Sequence, residues 1–368
     1  MRRNAFTALS AGIRRGQVPV TDEQGAFIEA SQSVDPGTAL GLGARAGSGK
    51  TFTLERTVDA IPANARILVL VYNAKNRKEL QRRMPARCVV HTFHSYCVEI
   101  VRAAHPVIEG PVKATAKTYK VLRNRVKLRK SHWAICQGVA LAKNLGIGID
   151  GLVDDIEDHW WEIYDNYDIR VPAAVPMDYV IGMARKVFHE ITSNQHLIDF
   201  DDLLYYVARD GIPEGDTWDY VLVDEAQDIN PSQLMILNHL MANGKTRLIF
   251  VGDPFQAIYG WRGAGVDSFE IMGAWFNARQ FDLTMTWRCA KRIVREAQRI
   301  VPDIKPRPDA PEGSIRFVPA ADFDALTMGL GAGDVVLCRN NAPLLRSALA
   351  CVEQGMPIVL LGRNITST

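Results

Sequence analysis

The sequence predicts an α/β protein. It has a parallel-sheet domain carrying a phosphate loop, interrupted by a helical insertion and followed by a second, partial α/β unit. Three observations carry that prediction. Short apolar runs alternate with helical patterns over roughly the first hundred residues, the texture of strands joined by crossover helices. Strand texture disappears from about residue 95 to 195, where apolar residues recur at helical spacing, as in Val180, Met183, Val187 and Ile191. Sheet texture then returns at 220–223 and 247–251.

Each element has its own signal. Residues 38–42 form the first strand candidate and lead into a Gly-rich loop and a helix. Residues 67–71 form the second, followed by a charged helix around 77–83, and 88–90 form the third. A further unit begins near Gln280, with strand candidates at 315–318, 335–338 and 358–361 and a helix over 342–352. The Pro-rich run from Val301 to Pro311 reads as a loop inside that unit. The expected division is 1–95 with 196–279 for the first sheet domain, 96–195 for the helical insertion and 280–368 for the partial second domain.

With 368 residues, 47% of them hydrophobic, the chain can bury more than one core. A net charge of +2 declares no partner, but its distribution is uneven. Lys113, Lys117, Lys120, Arg123, Arg125, Lys127, Arg129 and Lys130 form a block without an acid, and Asp150, Asp154, Asp155, Glu157, Asp158, Glu162, Asp165 and Asp168 form one without Lys or Arg. Two readings stay open: solvated helix faces that attract each other, or a positive surface for a phosphate backbone. The six cysteines show no Cys-x-x-Cys pair and no zinc spacing, which suits free thiols in a reducing compartment. No apolar run approaches the roughly 20 residues of a membrane span, and the start lacks a signal-peptide core. A cytoplasmic protein is expected.

Ala44-Arg-Ala-Gly-Ser-Gly-Lys-Thr51 follows a strand and opens a helix, the context a phosphate loop requires. Gly47 and Gly49 let backbone N–H groups turn inward around an anion, with Ala46 and Ser48 completing the loop. Lys50 supplies a charge for the β- and γ-phosphates, and Thr51 a hydroxyl for Mg²⁺. The competing reading is a Gly-rich strand–helix turn with an incidental Lys-Thr. Further on, Val221-Leu-Val-Asp-Glu-Ala-Gln-Asp228 delivers adjacent carboxylates at the end of an apolar run. Asp224 would hold Mg²⁺ through water and Glu225 would polarise the attacking water, since phosphoryl transfer relies on positioning and charge. An acidic helix cap is the alternative for that pair.

Val251-Gly-Asp-Pro-Phe-Gln-Ala-Ile-Tyr-Gly-Trp-Arg-Gly-Ala264 follows the next strand. Gln256 stands where an amide could sense a γ-phosphate. Tyr259, Trp261 and Arg262 suit stacking on unpaired bases, each stack worth on the order of 1–3 kcal/mol. Read alone, Tyr259 and Trp261 fit better as satellite core residues.

The ordered set of Ala-x-Ala-Gly-Ser-Gly-Lys-Thr, Thr92-Phe-His-Ser95, Asp-Glu-Ala-Gln-Asp and Val-Gly-Asp-Pro-x-Gln-x-Ile-Tyr-x-Trp-Arg-Gly-Ala resembles superfamily 1 DNA helicases of the Rep/UvrD/PcrA type, over about residues 20 to 365. Ile198-Asp-Phe-Asp-Asp-Leu-Leu204 is similar to compact, phage-encoded members. The resemblance implies RecA-like motor domains, ATP and Mg²⁺ as cofactors, and single-stranded DNA or a junction as partner. It implies that Gln24 in Thr21-Asp-Glu-Gln24 reads adenine, Trp287 covers it, and Arg288 acts as an arginine finger. It also implies that Tyr72, Asn73, Phe93 and His94 line a single-strand channel and that the helical insertion is the 1B subdomain.

Some positions depart from the family. Arg45 stands where Gly is usual and brings an extra charge toward the nucleotide. Phe52 replaces an adenine-stacking Arg, and Val71-Tyr-Asn-Ala-Lys75 is a loose form of Thr-Asn-Lys-Ala. The later motifs, including Lys-Gly-Leu-Glu and a second arginine finger, do not follow Gly362-Arg-Asn-Ile365. The leading expectation is an ATP-dependent helicase or translocase moving 3′→5′ on single-stranded DNA. The alternative is a nucleotide-gated strand-binding module or helicase fragment without autonomous unwinding, completed by a partner or a further C-terminal segment.

Overall fold

The computed structural model describes residues 19–104, 116–125, 129–193, 198–258, 260, 263–319, 329–331, 333–338 and 341–359. Two compact units are present, one running through Pro311 and the other Glu312–Thr368.

The first unit is built on a six-stranded parallel sheet in the order β3-β2-β4-β5-β1-β6. The strands are β1 (Ala39–Ala44), β2 (Ile67–Val71), β3 (Cys88–Thr92), β4 (Tyr220–Asp224), β5 (Arg247–Gly252) and β6 (Arg279–Leu283). Successive side chains leave a strand on opposite faces, so the central apolar runs split between two cores. Leu68, Leu70, Val221, Val223, Leu248 and Phe250 face one cluster, continuous with the helical insertion. Ile67, Val69, Leu222, Ile249 and Leu42 face the other, covered by Phe27, Leu54 and Val58. The last two belong to α2 (Lys50–Ala60) and Phe27 to α1 (Asp22–Gln32).

Helix starts follow their capping residues. Thr21 and Gln24 form a reciprocal capping box on α1. Asn73 caps α3 (Ala74–Arg83), and α4 (Phe93–Ala104) follows β3 directly. The insertion contains α5 (Ala116–Arg125), α6 (His132–Leu145), α7 (Glu157–Asn166) and α8 (Met177–Ser193). Trp160 and Tyr164 of α7 are fully buried, and Gly138 of α6 leaves room for the Tyr164 ring. The chain returns to the sheet through α9 (Phe200–Asp210), capped by Asp199, and α10 (Pro231–Met241), capped by Asn230.

The basic block is not one solvated face. Lys117 is 2% exposed and donates to the Ile191 carbonyl (2.6 Å), Asp202 (3.0 Å) and the Tyr206 hydroxyl (3.1 Å). Lys143 meets Asp199 (3.1 Å) and Asp202 (2.7 Å) beside it. Two cations and two carboxylates, each with several partners, make that burial tolerable. In the acidic block, Asp155 pairs with Arg185 and His189 and Asp168 with Arg170, none of them in the basic block.

After α11 (Ser268–Trp275), β6 joins the sheet beside β1, with Ala44 opposite Leu283. Residues 280–311, grouped with the following segment in the sequence reading, pack in the first unit. The run 301–311 read as a loop contains β8 (Lys305–Pro306), which pairs with β7 (Met285–Thr286) in parallel, and α12 (Lys291–Ala297) connects them. In the second unit the predicted helix is present as α13 (Asn341–Glu353). The strands expected at 315–318 and 335–338 are not formed, nor is one at 358–359; the rest of that run lies outside the described residues. Leu337 is 89% and Val359 83% exposed. A helix closes its hydrogen bonds locally, whereas a strand needs a neighbouring ladder, and none lies beside these runs among the described residues.

Candidate functional site

The carboxyl ends of β1, β4 and β5 lie level, with Gly43 opposite Gly252 and Asp224 opposite Val251. In open parallel sheets this edge is where ligands bind. β1 delivers the phosphate loop there. Gly47 and Gly49 adopt φ of 74° and 95°, left-handed values that turn the backbone before α2 begins at Lys50. Ala46 and Thr51 are half-buried, and the Ser48 hydroxyl is buried with no partner.

The loop is docked on the segment after β7. The Trp287 N–H donates to the Gly47 carbonyl (2.9 Å), and a Cβ on Gly47 would come within 2.6 Å of Arg288 Cβ. Trp287 and Arg288 are exposed at the loop's edge. Glu23 of α1 fixes the same wall, accepting from the Thr284 N–H (2.8 Å) and hydroxyl (2.6 Å). Gln24 is 3% exposed; its carbonyl accepts from the Thr21 N–H (3.0 Å) and its amide donates to the Ser48 carbonyl (3.4 Å).

β4 ends at Asp224, and Glu225 follows at φ 61°, an uncommon conformation for a residue with a side chain. The Lys50 ammonium donates a hydrogen bond to Glu225 and lies 3.9 Å from Asp224. Gln227 donates to the same Glu225 oxygen (2.8 Å) and accepts from the Asp253 N–H (3.0 Å), tying the ends of β4 and β5. Burial pushes the Asp224 carboxyl up to about 6, opposed by the Lys50 charge and reinforced by Glu225. Burial works in the same direction on Glu225, but the charge and hydrogen bond of Lys50 outweigh it and hold this carboxyl below its ordinary value. Asp228, 6% exposed and with an unpartnered Oδ1, is pushed up to about 7 by burial and then by the Glu225 charge.

The buried Asp224 carboxylate and the Thr51 hydroxyl are hard-oxygen donors, which fits a Mg²⁺ ion that takes its remaining ligands from water and phosphate. Among the described residues no group of three or more His, Cys, Asp or Glu could hold a metal by itself. Thr51 and Asp224 are the residues that would hold it.

Gln256 ends the short 3-10 turn Pro254–Gln256 after β5 and donates its amide to Asp253 (2.5 Å). Asp253, Gln227 and Glu23 carry much of this geometry and were not singled out in the sequence. For Asp253 the signal was available, since it ends an apolar run much as Asp224 does. Arg45 differs from expectation. Its guanidinium does not stand free for the nucleotide but is held by Asp303 and Asp282, against the ring of Phe255. Phe52 receives Arg56 over its ring at 5.1 Å.

Of the strand-contact candidates, Tyr72 and Asn73 follow β2 and are half-buried. The Asn73 side chain accepts from the N–H groups of Lys75 (3.0 Å) and Asn76 (2.9 Å). Phe93 is 1% exposed and packs in the core, so its side chain is not on a strand-binding surface. His94 is half-buried, its ring 5.9 Å from that of Phe200. Tyr259, Trp261 and Arg262 lie outside the described residues.

The sequence is similar to known proteins. The UvrD/REP helicase N-terminal domain matches residues 27–276. A protein described as a probable DNA helicase II homologue of Mycoplasma capricolum is 26% identical over 273 residues, covering 68% of this chain and 37% of that protein. The ATP-dependent DNA helicase PcrA of Bacillus subtilis is 27% identical over 285 residues, covering 71% and 37%. The RecBCD enzyme subunit RecB of Mycolicibacterium smegmatis is 24% identical over 324 residues, covering 72% and 30%. The chain thus spans about a third of the length of these curated relatives. No described helix is long and apolar enough to cross a membrane. With the family's N-terminal domain matched across the phosphate loop, the insertion and the paired carboxylates alike, the chain belongs to the UvrD/REP helicase family.

Proposed function

We propose that this chain hydrolyses ATP at the β1–β4 edge and uses the cycle to move on single-stranded DNA, with 3′→5′ polarity. The observation that carries this reading is the Lys50 ammonium, set at the phosphate loop and bonded to Glu225 beside Asp224. An arriving β/γ-phosphate competes for that ammonium. As Lys50 transfers to phosphate, Glu225 is released as an ionised base, still oriented by Gln227, to polarise the attacking water. The Thr51 hydroxyl and the Asp224 carboxylate would hold Mg²⁺, which would supply neutralisation of phosphate charge. The N–H groups of Ala46 to Thr51 cradle the anion. Gln256 and Arg288 face the γ-phosphate, and Gln24 and Trp287 flank the adenine.

The partner is single-stranded DNA or its junction with duplex. Tyr72, Asn73 and His94 contribute from the ends of β2 and β3, and Tyr259, Trp261 and Arg262 stack and pair from the segment after Gln256. In this reading 1–95 with 196–279 form the first motor domain, with 280–311 packed in the same unit, 96–195 form the insertion, and residues after Pro311 belong to a second motor domain. The test is DNA-stimulated ATP hydrolysis by the Lys50→Ala and Glu225→Gln variants. Turnover retained in either sinks the site assignment. A forked-duplex assay on the parent separates unwinding from strand-stimulated hydrolysis.

A further inference from the structure

Arg45 is the residue where the phosphate loop departs from the pattern it otherwise follows, and its side chain is almost wholly buried, 9% exposed. Its backbone continues the pairing of β1 with β6, the Arg45 N–H donating to the Leu283 carbonyl (2.9 Å). Its Nε donates to Asp303 (2.8 Å to Oδ1), and its Nη2 to the other Asp303 oxygen (2.5 Å) and to Asp282 (3.3 Å). The guanidinium also stacks 5.0 Å from the centre of the Phe255 ring. A planar fork suits such a three-oxygen, one-ring site in a way an ammonium does not.

The partners of Arg45 lead to two residues that matter. Asp303 stands two residues before Lys305, whose N–H donates to the Thr284 carbonyl (2.8 Å), and the Arg307 N–H donates to the Thr286 carbonyl (3.2 Å). Holding Asp303 therefore holds β8, and through it β7, whose next residues are Trp287 and Arg288. Phe255 is the immediate neighbour of Gln256 in the 3-10 turn.

We propose that Arg45 is a positioning residue that sets Arg288, through Asp303, and Gln256, through Phe255, against the phosphate loop. This rests on the reading of the β1–β4 edge as an ATP site. ADP lacks the γ-phosphate that Arg288 and Gln256 face, so the role separates turnover from nucleotide affinity.

The test uses the whole chain. Arg45→Met keeps an aliphatic stem and removes the fork; Asp303→Asn removes the partner's charge at a side chain that is 41% exposed. DNA-stimulated kcat and KM for ATP are measured with ADP affinity and melting temperature. In both variants kcat falls about tenfold while ADP affinity stays within about twofold. The double variant is no worse than the single ones, because both remove one link. Arg45→Lys, able to reach one carboxylate without the fork, is intermediate. Unchanged kcat in both variants overturns the proposal, as does ADP affinity falling in step with kcat, or additive losses. Should Arg45→Met fail to fold, Asp303→Asn decides alone. Lys50→Ala in the same assay keeps the two ideas apart: turnover surviving there overturns the site, whereas its loss with normal kcat in Asp303→Asn overturns only the role of Arg45.

Discussion

Lys50 and Glu225 neutralise each other across the gap between the phosphate loop and the end of β4, and in the proposed reaction each must release the other before phosphate chemistry begins. The two variants therefore fail differently. Lys50→Ala removes a phosphate contact and lets the Glu225 carboxyl rise, so ADP affinity and turnover fall together. Glu225→Gln keeps a hydrogen-bonding side chain beside Lys50, so ADP still binds while kcat drops by about 10²–10⁴. A Glu225→Gln protein that loses ADP affinity as severely as Lys50→Ala contradicts this division of labour.

The buried acids give the site a pH signature in stability. Burial holds Asp224 at about 6 and Asp228 at about 7. A carboxyl with a folded pKa above its unfolded value, near 4, keeps a proton that the unfolded chain has released. Stability is therefore highest below that window and declines as pH rises from about 4 toward 7. Asp228→Asn removes one such cost. Its melting temperature is expected to exceed the parent's by about 2–4 °C at pH 8, the gap closing toward pH 4. Equal melting temperatures at both pH values would show that Asp228 ionises without penalty.

The placement of the phosphate loop and the paired carboxylates at the strand ends was legible because it is local. A Gly-rich turn after a strand, a Lys-Thr opening a helix and two carboxylates after an apolar run are each written within about ten residues. The first sheet's central strands were legible because both their faces are buried. β6 was not recognised as part of that sheet, since Arg279-Gln-Phe-Asp-Leu283 is an edge strand with mixed polarity and its membership depends on β1. Phe93 illustrates another limit. Its motif points toward a channel, but at the first position of α4 its ring turns into the core while His94 stays at the boundary. The direction of the Arg45 side chain depends on Asp303, 258 residues away, and no local pattern encodes it.

Trp261 is the sharpest test of strand binding. Trp261→Ala is expected to weaken single-stranded DNA affinity by about 1–3 kcal/mol, as for loss of one stacked base. Hydrolysis without DNA is expected to survive, because the Lys50–Glu225 pair is untouched. Titration of a labelled oligonucleotide checks the first point and a DNA-free ATPase assay the second. Unchanged affinity would assign Trp261 to the core instead.

Gly47 closely approaches Arg288, the proposed arginine finger. A Cβ there would lie 2.6 Å from Arg288 Cβ and 2.9 Å from the Thr286 hydroxyl, in a backbone held at φ 74°. Neither neighbour can yield cheaply, since Thr286 is in β7 and Trp287 is bonded to the Gly47 carbonyl. Gly47→Ala thus combines left-handed strain of about 1–2 kcal/mol with a push on the Arg288 backbone. The variant is expected to melt lower by a few degrees and to lose turnover through displacement of Arg288, with KM for ATP raised as the loop is distorted. Gly182→Ala is the matched control. That glycine sits within α8 with nothing within 4 Å of an added Cβ, so alanine is expected to stabilise the helix by roughly 0.5–1 kcal/mol and leave hydrolysis unchanged. Comparable turnover in the two variants would show that the contact between Gly47 and Arg288 has no part in positioning the finger.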